Sequence, residues 1–214
     1  MPDDSIAEVL DVLSDDGTVI GTASRREVHR NGLWHRTFHA LVVRPGLPAR
    51  VVLQRRAATS FFAGRLDFTA SGHLAAGEQP IDGIRELEEE VGLSVNPVDL
   101  TSVGVHRIVD HRDGITNREQ VHVFFVRSDL ALDRFTPDPA EVSSLVEVGI
   151  GALLTLVDPA NDTTRVDVRE WAPGSTVSET TIGPDDLMPG YTGYLIKTLI
   201  MAERFAAGRS PIAI

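Results

Sequence analysis

Three glutamates, Glu86, Glu89 and Glu90, lie within five residues of one another, a spacing that could hold a metal ion. If the segment is helical, each residue turns by about 100°, and the three carboxylates fall within one arc. Like charges this close repel, by roughly a few tenths of a kcal/mol for each exposed pair. A hard cation reverses that sign, and Mg²⁺ prefers oxygen ligands and is commonly shared with substrate phosphates. The cluster therefore predicts a metal site, and the alternative is a solvated acidic helix.

The residues around the glutamates predict the helix that must position them. Pro80 suits the first helical turn, where a missing N–H costs little, and Gly92 suits the C-terminal cap. Between them, four apolar residues recur at helical spacing on the side opposite the glutamates: Ile81, Ile84, Leu87 and Val91. We therefore expect a helix over residues 80–92 that packs one face on a sheet and gathers three carboxylates on the other.

Residues 72–93 resemble the Nudix box, in which a glycine, a glutamate and an Arg-Glu-aliphatic-x-Glu-Glu-x-Gly-aliphatic core follow one another at fixed spacing. The matching residues are Gly72, Glu78, Arg85, Glu86, Leu87, Glu89, Glu90, Gly92 and Leu93. The chain departs from the pattern at one point, because six residues separate Glu78 from Arg85, one fewer than in the family. The loop-to-helix junction must be shorter by one residue, which leaves the position of Glu78 and its pairing with Arg85 open.

The resemblance implies a Nudix-type diphosphate hydrolase. Its expected reaction is Mg²⁺-dependent (or Mn²⁺-dependent) cleavage of a diphosphate bond in a nucleoside diphosphate-X or a similar organic diphosphate. The implied metal ligands are Glu86, Glu89, Glu90 and the Gly72 carbonyl. The implied catalytic residues are Glu90, Glu89, Arg85 and Glu119, with Glu90 as the first candidate for the general base and Glu119 and Glu141 as the runners-up.

Arg85 is expected to orient the glutamates, since a guanidinium binds a carboxylate through two parallel hydrogen bonds. The candidates for substrate binding are Arg55, Arg56, Arg65 and His73. For each arginine, a solvated position at a strand end is an equally good interpretation.

Residues on both sides of the box resemble the Nudix subgroup similar to isopentenyl-diphosphate isomerase. The matching segments include Gly32-Leu33-Trp34-His35-Arg36, Leu53-Gln54-Arg55-Arg56, Ser71-Gly72-His73 and Asn117-Arg118-Glu119. Isomerases of this subgroup bind a metal with three histidines and two glutamates and need a cysteine just before the Gly-His pair. This chain has His29, His35 and His73 in the matching places, but Ser71 stands before Gly72 and the sequence contains no cysteine.

The missing cysteine and the intact core of the box favour a hydrolase. An isomerase-like enzyme and a non-catalytic Nudix-fold ligand sensor are the alternatives. A second metal site at His29, His35 and His73 is left open.

Composition restricts the class of protein. The 214 residues fit one domain, which we predict over 1–214, with an N-terminal hairpin extension (1–33) and a C-terminal excursion and helix (158–214). A formal net charge of −11 argues against a nucleic-acid partner, which needs a basic surface. We find neither an apolar run long enough to span a membrane nor the features of a signal peptide in residues 1–5, so we expect a cytoplasmic protein. A homodimer is left open.

The hydrophobic patterns predict an α+β fold. Strands are expected at residues 7–13, 18–22, 34–43, 50–54, 66–70, 100–108, 118–126 and 143–148. A short helix over 150–157, one hairpin within 158–183 and a final helix over 191–207 complete the pattern. The resemblance implies that these elements form the Nudix αβα sandwich, a mixed β-sheet between helices.

Overall fold

Strand β3 (Trp34–Arg44) organises the sheet in the computed structural model, which describes residues 8–112, 115–158, 160 and 164–214. It pairs in parallel with one neighbour, β8 (Ile115–Arg127), and antiparallel with β4 (Arg50–Arg56) and β6 (Ala70–His73). The sheet is therefore mixed, as predicted. Residues 113–114, in the polar connection between the strands expected at 100–108 and 118–126, and the N-terminal residues 1–5 lie outside the described residues.

The remaining elements extend this centre on both sides. The other strands are β1 (Val9–Leu13), β2 (Val19–Ser24), β5 (Leu66–Asp67), β7 (Thr101–Arg112), β9 (Val142–Gly149), β10 (Val166–Trp171) and β11 (Ser178–Ile182). The α-helices are α1 (Arg25–Asn31), α2 (Arg85–Val91), α3 (Ile150–Leu156) and α4 (Thr192–Ala206). Short 3₁₀ helices cover Pro80–Ile84, Pro97–Asp99, Leu132–Arg134 and Pro184–Asp186. The main strand order is β11-β10-β9-β4-β3-β1-β2, with β5 beside β4, β6 and β8 beside β3, and β7 beside β8.

Alternation along β3 divides the interior into two cores. Phe38, Ala40 and Val42 pack in the core beneath α2, together with Leu87 of that helix. The residues of opposite parity, such as Leu41, pack in the core that contains the buried sides of α3 and α4. Because successive side chains of a strand point to opposite faces, one strand serves both cores. The predicted αβα sandwich with a C-terminal helix is confirmed.

The predicted N-terminal hairpin is present as β1 and β2, which pair antiparallel. It joins the rest of the sheet where Leu13 pairs with Trp34. The predicted hairpin in the C-terminal excursion is formed by β10 and β11. The long antiparallel pair predicted after the glutamate-rich helix is formed by β7 and β8.

Two predictions of local structure were wrong. The strand expected over residues 66–70 is two short strands, β5 on β4 and β6 on β3. The Thr69 hydroxyl lies between them, donates to the Val52 carbonyl and accepts from the Val42 N–H, so it joins β3 and β4 where the chain crosses over.

The helix expected over residues 80–92 is also not continuous. Pro80–Ile84 forms a 3₁₀ helix, and the α-helix begins only at Arg85. Gly83 lies so close to the sheet that an added Cβ would be 2.5 Å from the Phe38 ring. A 3₁₀ helix rises about 2.0 Å per residue, compared with about 1.5 Å in an α-helix. Because each residue of the 3₁₀ helix advances further along the helix axis, the segment before Arg85 can span its distance with one residue fewer.

Within the described residues, we find no helix that combines the length and apolar character needed to cross a membrane.

Candidate active site

Arg85, the first residue of α2, connects the carboxylates of the glutamate-rich segment. Its guanidinium binds Glu78 through two contacts, Nε to Oε1 at 3.0 Å and Nη2 to Oε2 at 3.2 Å. Nη1 donates to Glu86 at 2.6 Å and to Glu89 at 3.0 Å, and Nη2 also donates to the His73 carbonyl at 2.9 Å. These bonds raise the pKa of Arg85, with those to Glu78 as the largest cause. Arg85 thus contacts Glu78, Glu86 and Glu89, and its role in orienting them stays a prediction.

Glu78 keeps its pairing with Arg85 although the segment between them is one residue short. It also accepts the Ala75 N–H at 2.7 Å. Partial burial acts to raise the pKa of Glu78, but the bonds from Arg85 and Ala75 outweigh it and lower the pKa. The 3₁₀ helix over Pro80–Ile84 is the local change that accommodates the missing residue.

The N-terminal hairpin holds the loop that precedes Glu78. Asp11 of β1 accepts the Gly77 N–H at 3.2 Å and an Arg36 N–H at 3.1 Å. Arg36 also donates to the Glu78 carbonyl at 3.4 Å, and the Ala76 N–H donates to a backbone carbonyl of β1 at 2.8 Å. Sequence reasoning treated the hairpin as an addition to the catalytic core. The structure makes it the support of the glycine-rich loop.

Glu86 lies directly over Gly72. A Cβ added to Gly72 would be 2.2 Å from the Glu86 carboxyl carbon, so only glycine leaves room for this carboxylate. Burial raises the pKa of Glu86 to about 7; Arg85 opposes this shift, and the charges of Glu89 and Glu141 reinforce it. Glu86 is buried between α2 and β6, which does not fit the alternative of a solvated acidic face at this position.

Glu90 is buried one turn further along α2. Its Oε2 accepts the Ser71 backbone N–H at 2.8 Å and the Gln54 side-chain amide at 2.9 Å. Burial raises the pKa of Glu90 well above its ordinary value, as does the charge of Glu86, and the Ser71 N–H opposes them. Because both donors face Oε2, a proton on this carboxyl group would sit on Oε1. Gln54 was not a predicted site residue, although it lies in the segment Leu53-Gln54-Arg55-Arg56 and is an amide that follows apolar strand residues.

The two other candidates for the general base are Glu141, which lies near α2, and Glu119, which does not. The charge of Glu141, an exposed residue, acts on both Glu86 and Glu90. Glu119 pairs with His35 in the register of β3 and β8, which places it on the sheet face covered by α4. The structure does not bring Glu119 to the α2 carboxylates.

Two of the three predicted phosphate-binding arginines, Arg55 and Arg56, form ion pairs with carboxylates of the protein. Arg55 is paired with Glu170 at 2.8 Å and with Asp186 at 3.0 Å. Arg56 is paired with the buried Asp67 at 3.0 Å. Arg65 lies in the turn between β4 and β5, where its carbonyl accepts the Arg56 N–H. A substrate phosphate would therefore have to compete with these carboxylates for Arg55 and Arg56.

The three predicted ligand side chains fit a hard divalent cation. Carboxylate oxygens are what Mg²⁺ prefers. Glu86 and Glu90 are both buried, and burial raises the pKa of each carboxyl group, so their charged forms are disfavoured without a cation. A cation in their place would compensate the cost of burying two like charges. Glu89 is largely exposed and bonded to Arg85, where it can complete the set.

Three histidines meet on the opposite face of the sheet. His29, His35 and His73 each offer a ring nitrogen, and these atoms lie within 4.8 Å of one another. The Nε2 atoms of His29 and His73 are 3.2 Å apart. Nδ1 of His35 donates to the Leu33 carbonyl at 3.1 Å, and its buried Nε2 has no hydrogen-bond partner among the described residues. Burial lowers the pKa of His35 to about 4, which keeps that nitrogen available as a ligand.

His73 therefore has two roles in this geometry. Its ring belongs to the histidine cluster, while its carbonyl accepts from Arg85 on the side of α2. The predicted contact between the His73 side chain and a substrate at the α2 carboxylates is not supported by this placement. Strand β6 lies between the two clusters.

Comparison with known families identifies the domain. The family model described as the NUDIX domain matches residues 33–167, more than half of the chain. The chain belongs to the NUDIX domain family. The matched region contains both the α2 carboxylates and two of the three clustered histidines.

Individual relatives agree with this assignment. An uncharacterised Nudix hydrolase of Clostridium acetobutylicum is 33% identical over 153 residues, covering 71% of this chain and 74% of the relative. The uncharacterised Nudix hydrolase YfcD of Escherichia coli is 37% identical over 92 residues, which are 42% of this chain and 50% of YfcD. The chain thus spans only half of the second relative.

Among solved structures, DR0079 from Deinococcus radiodurans has the same fold. The superposition has a TM-score of 0.54 at 20% sequence identity and covers 69% of this chain and 86% of DR0079.

Family membership confirms the prediction of a Nudix-type hydrolase at the level of class. The finer resemblance to isopentenyl-diphosphate isomerases stays a prediction, as do the individual residue roles. The Nudix box of this chain is one residue short between Glu78 and Arg85, and its ion pair is nevertheless formed.

Proposed function

We propose that this Nudix protein hydrolyses the diphosphate bond of a nucleoside diphosphate-X or a similar organic diphosphate with the help of Mg²⁺ or Mn²⁺. The observation that carries the proposal is the convergence of two buried carboxylates, Glu86 and Glu90, on the segment Ser71–Gly72. Burying two carboxylates side by side is unfavourable without a cation, so the arrangement is one that a divalent ion would stabilise.

Glu86, Glu89 and Glu90 would hold the cation, together with the Gly72 carbonyl. When bound, the ion offsets negative charge on the diphosphate oxygens and lowers the pKa of water. Arg85 keeps Glu86 and Glu89 in place through direct bonds, while the Ser71 N–H and the Gln54 amide hold Glu90. The cytoplasmic location remains an expectation.

A carboxylate near α2 takes the proton of the attacking water. Glu90 is the first candidate, since its Oε2 is fixed by two donors and Oε1 is left to accept the proton. Glu141 is the second, because its charge reaches Glu86 and Glu90. Glu119, on the other face of the sheet, is a poor candidate.

Arg55 is the better of the candidates for binding phosphate groups of the substrate. Its side chain is held between Glu170 of β10 and Asp186 of the segment before α4. A substrate phosphate could replace one of these carboxylates without a change in the number of charge-assisted bonds.

A panel of diphosphates tests the proposal. Nucleotide sugars, dinucleotides, oxidised nucleotides, thiamine diphosphate and prenyl diphosphates are each incubated with the protein and Mg²⁺, and again with EDTA. Phosphate release is measured after treatment with a phosphatase that acts on monoester products alone. We expect release that depends on the metal for at least one class. No release from any class would favour the alternative of a ligand sensor.

A second candidate concerns the histidine cluster. We propose that His29, His35 and His73 hold a transition metal, for which three imidazole nitrogens are a suitable ligand set. The buried and unpartnered Nε2 of His35 favours this site. Elemental analysis of the purified protein and of His35→Phe tests it: we expect one bound Zn²⁺, Mn²⁺ or similar ion that the variant loses, and equal metal contents would reject the site.

An isomerisation assay on the same protein tests the alternative of an isomerase-like enzyme. Ser71 occupies the place of the cysteine that the isomerases need. We therefore expect no conversion of isopentenyl diphosphate to its allylic isomer, whether Mg²⁺ or Mn²⁺ is added. Conversion would overturn the proposed hydrolase function.

A further inference from the structure

Gln54 is a buried amide in strand β4, and it is 2% exposed. Val52, two residues earlier on the same side of the strand, packs in the apolar core beneath α2. Burying an amide among apolar side chains is unfavourable unless the amide is hydrogen-bonded. The partner of this amide is the Glu90 carboxylate, 2.9 Å away.

The contact is directional. Since a carboxylate oxygen accepts, the NH₂ group of Gln54 must face Glu90. The Ser71 backbone N–H donates to the same oxygen, Oε2, at 2.8 Å. Two donors from two different strands, β4 and β6, therefore converge on one oxygen of a side chain that belongs to a helix.

Fixing Oε2 in this way fixes the whole carboxylate. A glutamate has rotatable bonds that let its carboxyl group turn, and a single donor leaves part of that freedom. With Oε2 held from two directions, Oε1 has one orientation. Groups that bond the ligands of a site set ligand orientation in the same manner in known metal sites.

We propose that Gln54 is a positioning residue of the active site: it holds Glu90 so that Oε1 is presented to the cation and to the attacking water. This inference rests on the proposed function. It does not make Gln54 a catalytic residue, because its amide donates to protein groups, to Glu90 Oε2 at 2.9 Å and more distantly to Ser71 Oγ at 3.5 Å.

If Gln54 only stabilised the fold, its substitution would lower stability without weakening metal binding. Methionine and leucine are apolar, are close to glutamine in size, and suit a buried strand position, so Gln54→Met and Gln54→Leu are expected to fold. Both remove the donor to Glu90. Gln120→Met is the matched control, since Gln120 is a half-buried glutamine in strand β8 that pairs with Arg36 and makes no bond to Glu90.

The experiment measures Mn²⁺ binding by electron paramagnetic resonance and steady-state turnover of a diphosphate for the full chain. We expect both Gln54 variants to bind Mn²⁺ more weakly and to lose kcat, each by about 10- to 100-fold, as for other groups that orient metal ligands. KM for the diphosphate is expected to change little. The thermal unfolding temperature is expected to fall moderately, because the buried Glu90 carboxylate loses one of its two donors, but both variants should be folded under the assay conditions. Gln120→Met should match wild type in every measurement. Wild-type Mn²⁺ affinity and kcat in Gln54→Met would overturn the inference.

The two proposals fail in distinguishable ways. If the wild-type protein hydrolyses no diphosphate, the proposed function is overturned, and the role of Gln54 is decided by Mn²⁺ binding alone. If the wild-type protein is active and the Gln54 variants match it, only the positioning role is overturned. A loss of folded structure in Gln54→Met leaves Gln54→Leu as the deciding variant.

Discussion

The guanidinium of Arg85 binds both carboxylate oxygens of Glu78, at 3.0 and 3.2 Å, across a segment that is one residue shorter than the family pattern. The pair links the loop before the 3₁₀ helix to the start of α2. It also keeps Arg85 facing Glu86 and Glu89.

Replacing Arg85 by lysine tests how far this network supports activity. A lysine keeps the charge but cannot bond several carboxylates in one plane. We expect Arg85→Lys to lower kcat/KM by about 100-fold, the order of loss that a small misplacement of catalytic groups produces. Arg134→Lys, at an exposed arginine in a 3₁₀ helix, is the control and should behave as wild type. Equal activity of the two variants would contradict an orienting role.

Gly72 and Gly21 allow the same substitution by alanine to be compared at a crowded and at an open position. A Cβ on Gly72 would meet the Glu86 carboxylate at 2.2 Å, while one on Gly21 would meet nothing within 4 Å. We expect Gly72→Ala to lower the free energy of unfolding by about 1–3 kcal/mol, as overpacking does. Turnover should fall by about 100-fold, because Glu86 must move. Gly21→Ala should change stability by no more than about 0.5 kcal/mol. Urea unfolding and turnover measured on both variants decide between a site-specific and a general effect of the added methyl group.

Asp11 tests the role of the N-terminal hairpin. Asp11→Asn removes the charge that Arg36 binds at 3.1 Å and weakens the bond to the Gly77 N–H. We expect a loss of about 1–3 kcal/mol in the free energy of unfolding, since a hydrogen-bonded charge is left without its partner. Activity should fall as well, because the loop before Glu78 loses its support. Asp129→Asn, at an exposed position, serves as control, and retention of both stability and activity in Asp11→Asn would contradict this role.

The partly buried His122 predicts a loss of stability in acid. Burial lowers the pKa of His122 from 6.5 to about 4, with a smaller effect of the Arg36 charge. Between these values the unfolded chain binds the proton and the folded chain does not, so stability is present above pH 6.5 and is lost as the pH falls towards 4. We expect the free energy of unfolding, measured in urea at neutral pH and near pH 5, to differ less in His122→Leu than in wild type. Identical differences in the two proteins would contradict the assignment to His122.

Local pattern was enough to predict much of the fold. The C-terminal cap at Gly92 has the expected left-handed conformation, and Leu87 and Val91 are buried against the sheet. These features depend on residues a few positions apart. The break at Pro80–Ile84 was missed because it depends on the approach of Gly83 to Phe38, which lies on a distant strand.

The site was predictable only in its helical part. The glutamates are neighbours in sequence, and their spacing alone placed them together. The burial of Glu86 and Glu90 was not predictable, since it depends on other strands: Glu86 lies over Gly72 of β6, and Glu90 accepts from Gln54 of β4 and Ser71 of β6. The misplacement of Glu119 has a related cause: the parity of β8 relative to β3 decides its face, and a sequence alone does not give that register.

The central claim is that the carboxylates of α2 hold the cation that a diphosphate hydrolase needs. Turnover of the best diphosphate is measured over a range of Mg²⁺ concentrations for wild type, Glu89→Gln and Glu90→Gln, with circular dichroism to check the fold. We predict near-complete loss of turnover in both folded variants and no turnover of wild type without the metal. Wild-type turnover in a folded Glu90→Gln protein would contradict the account.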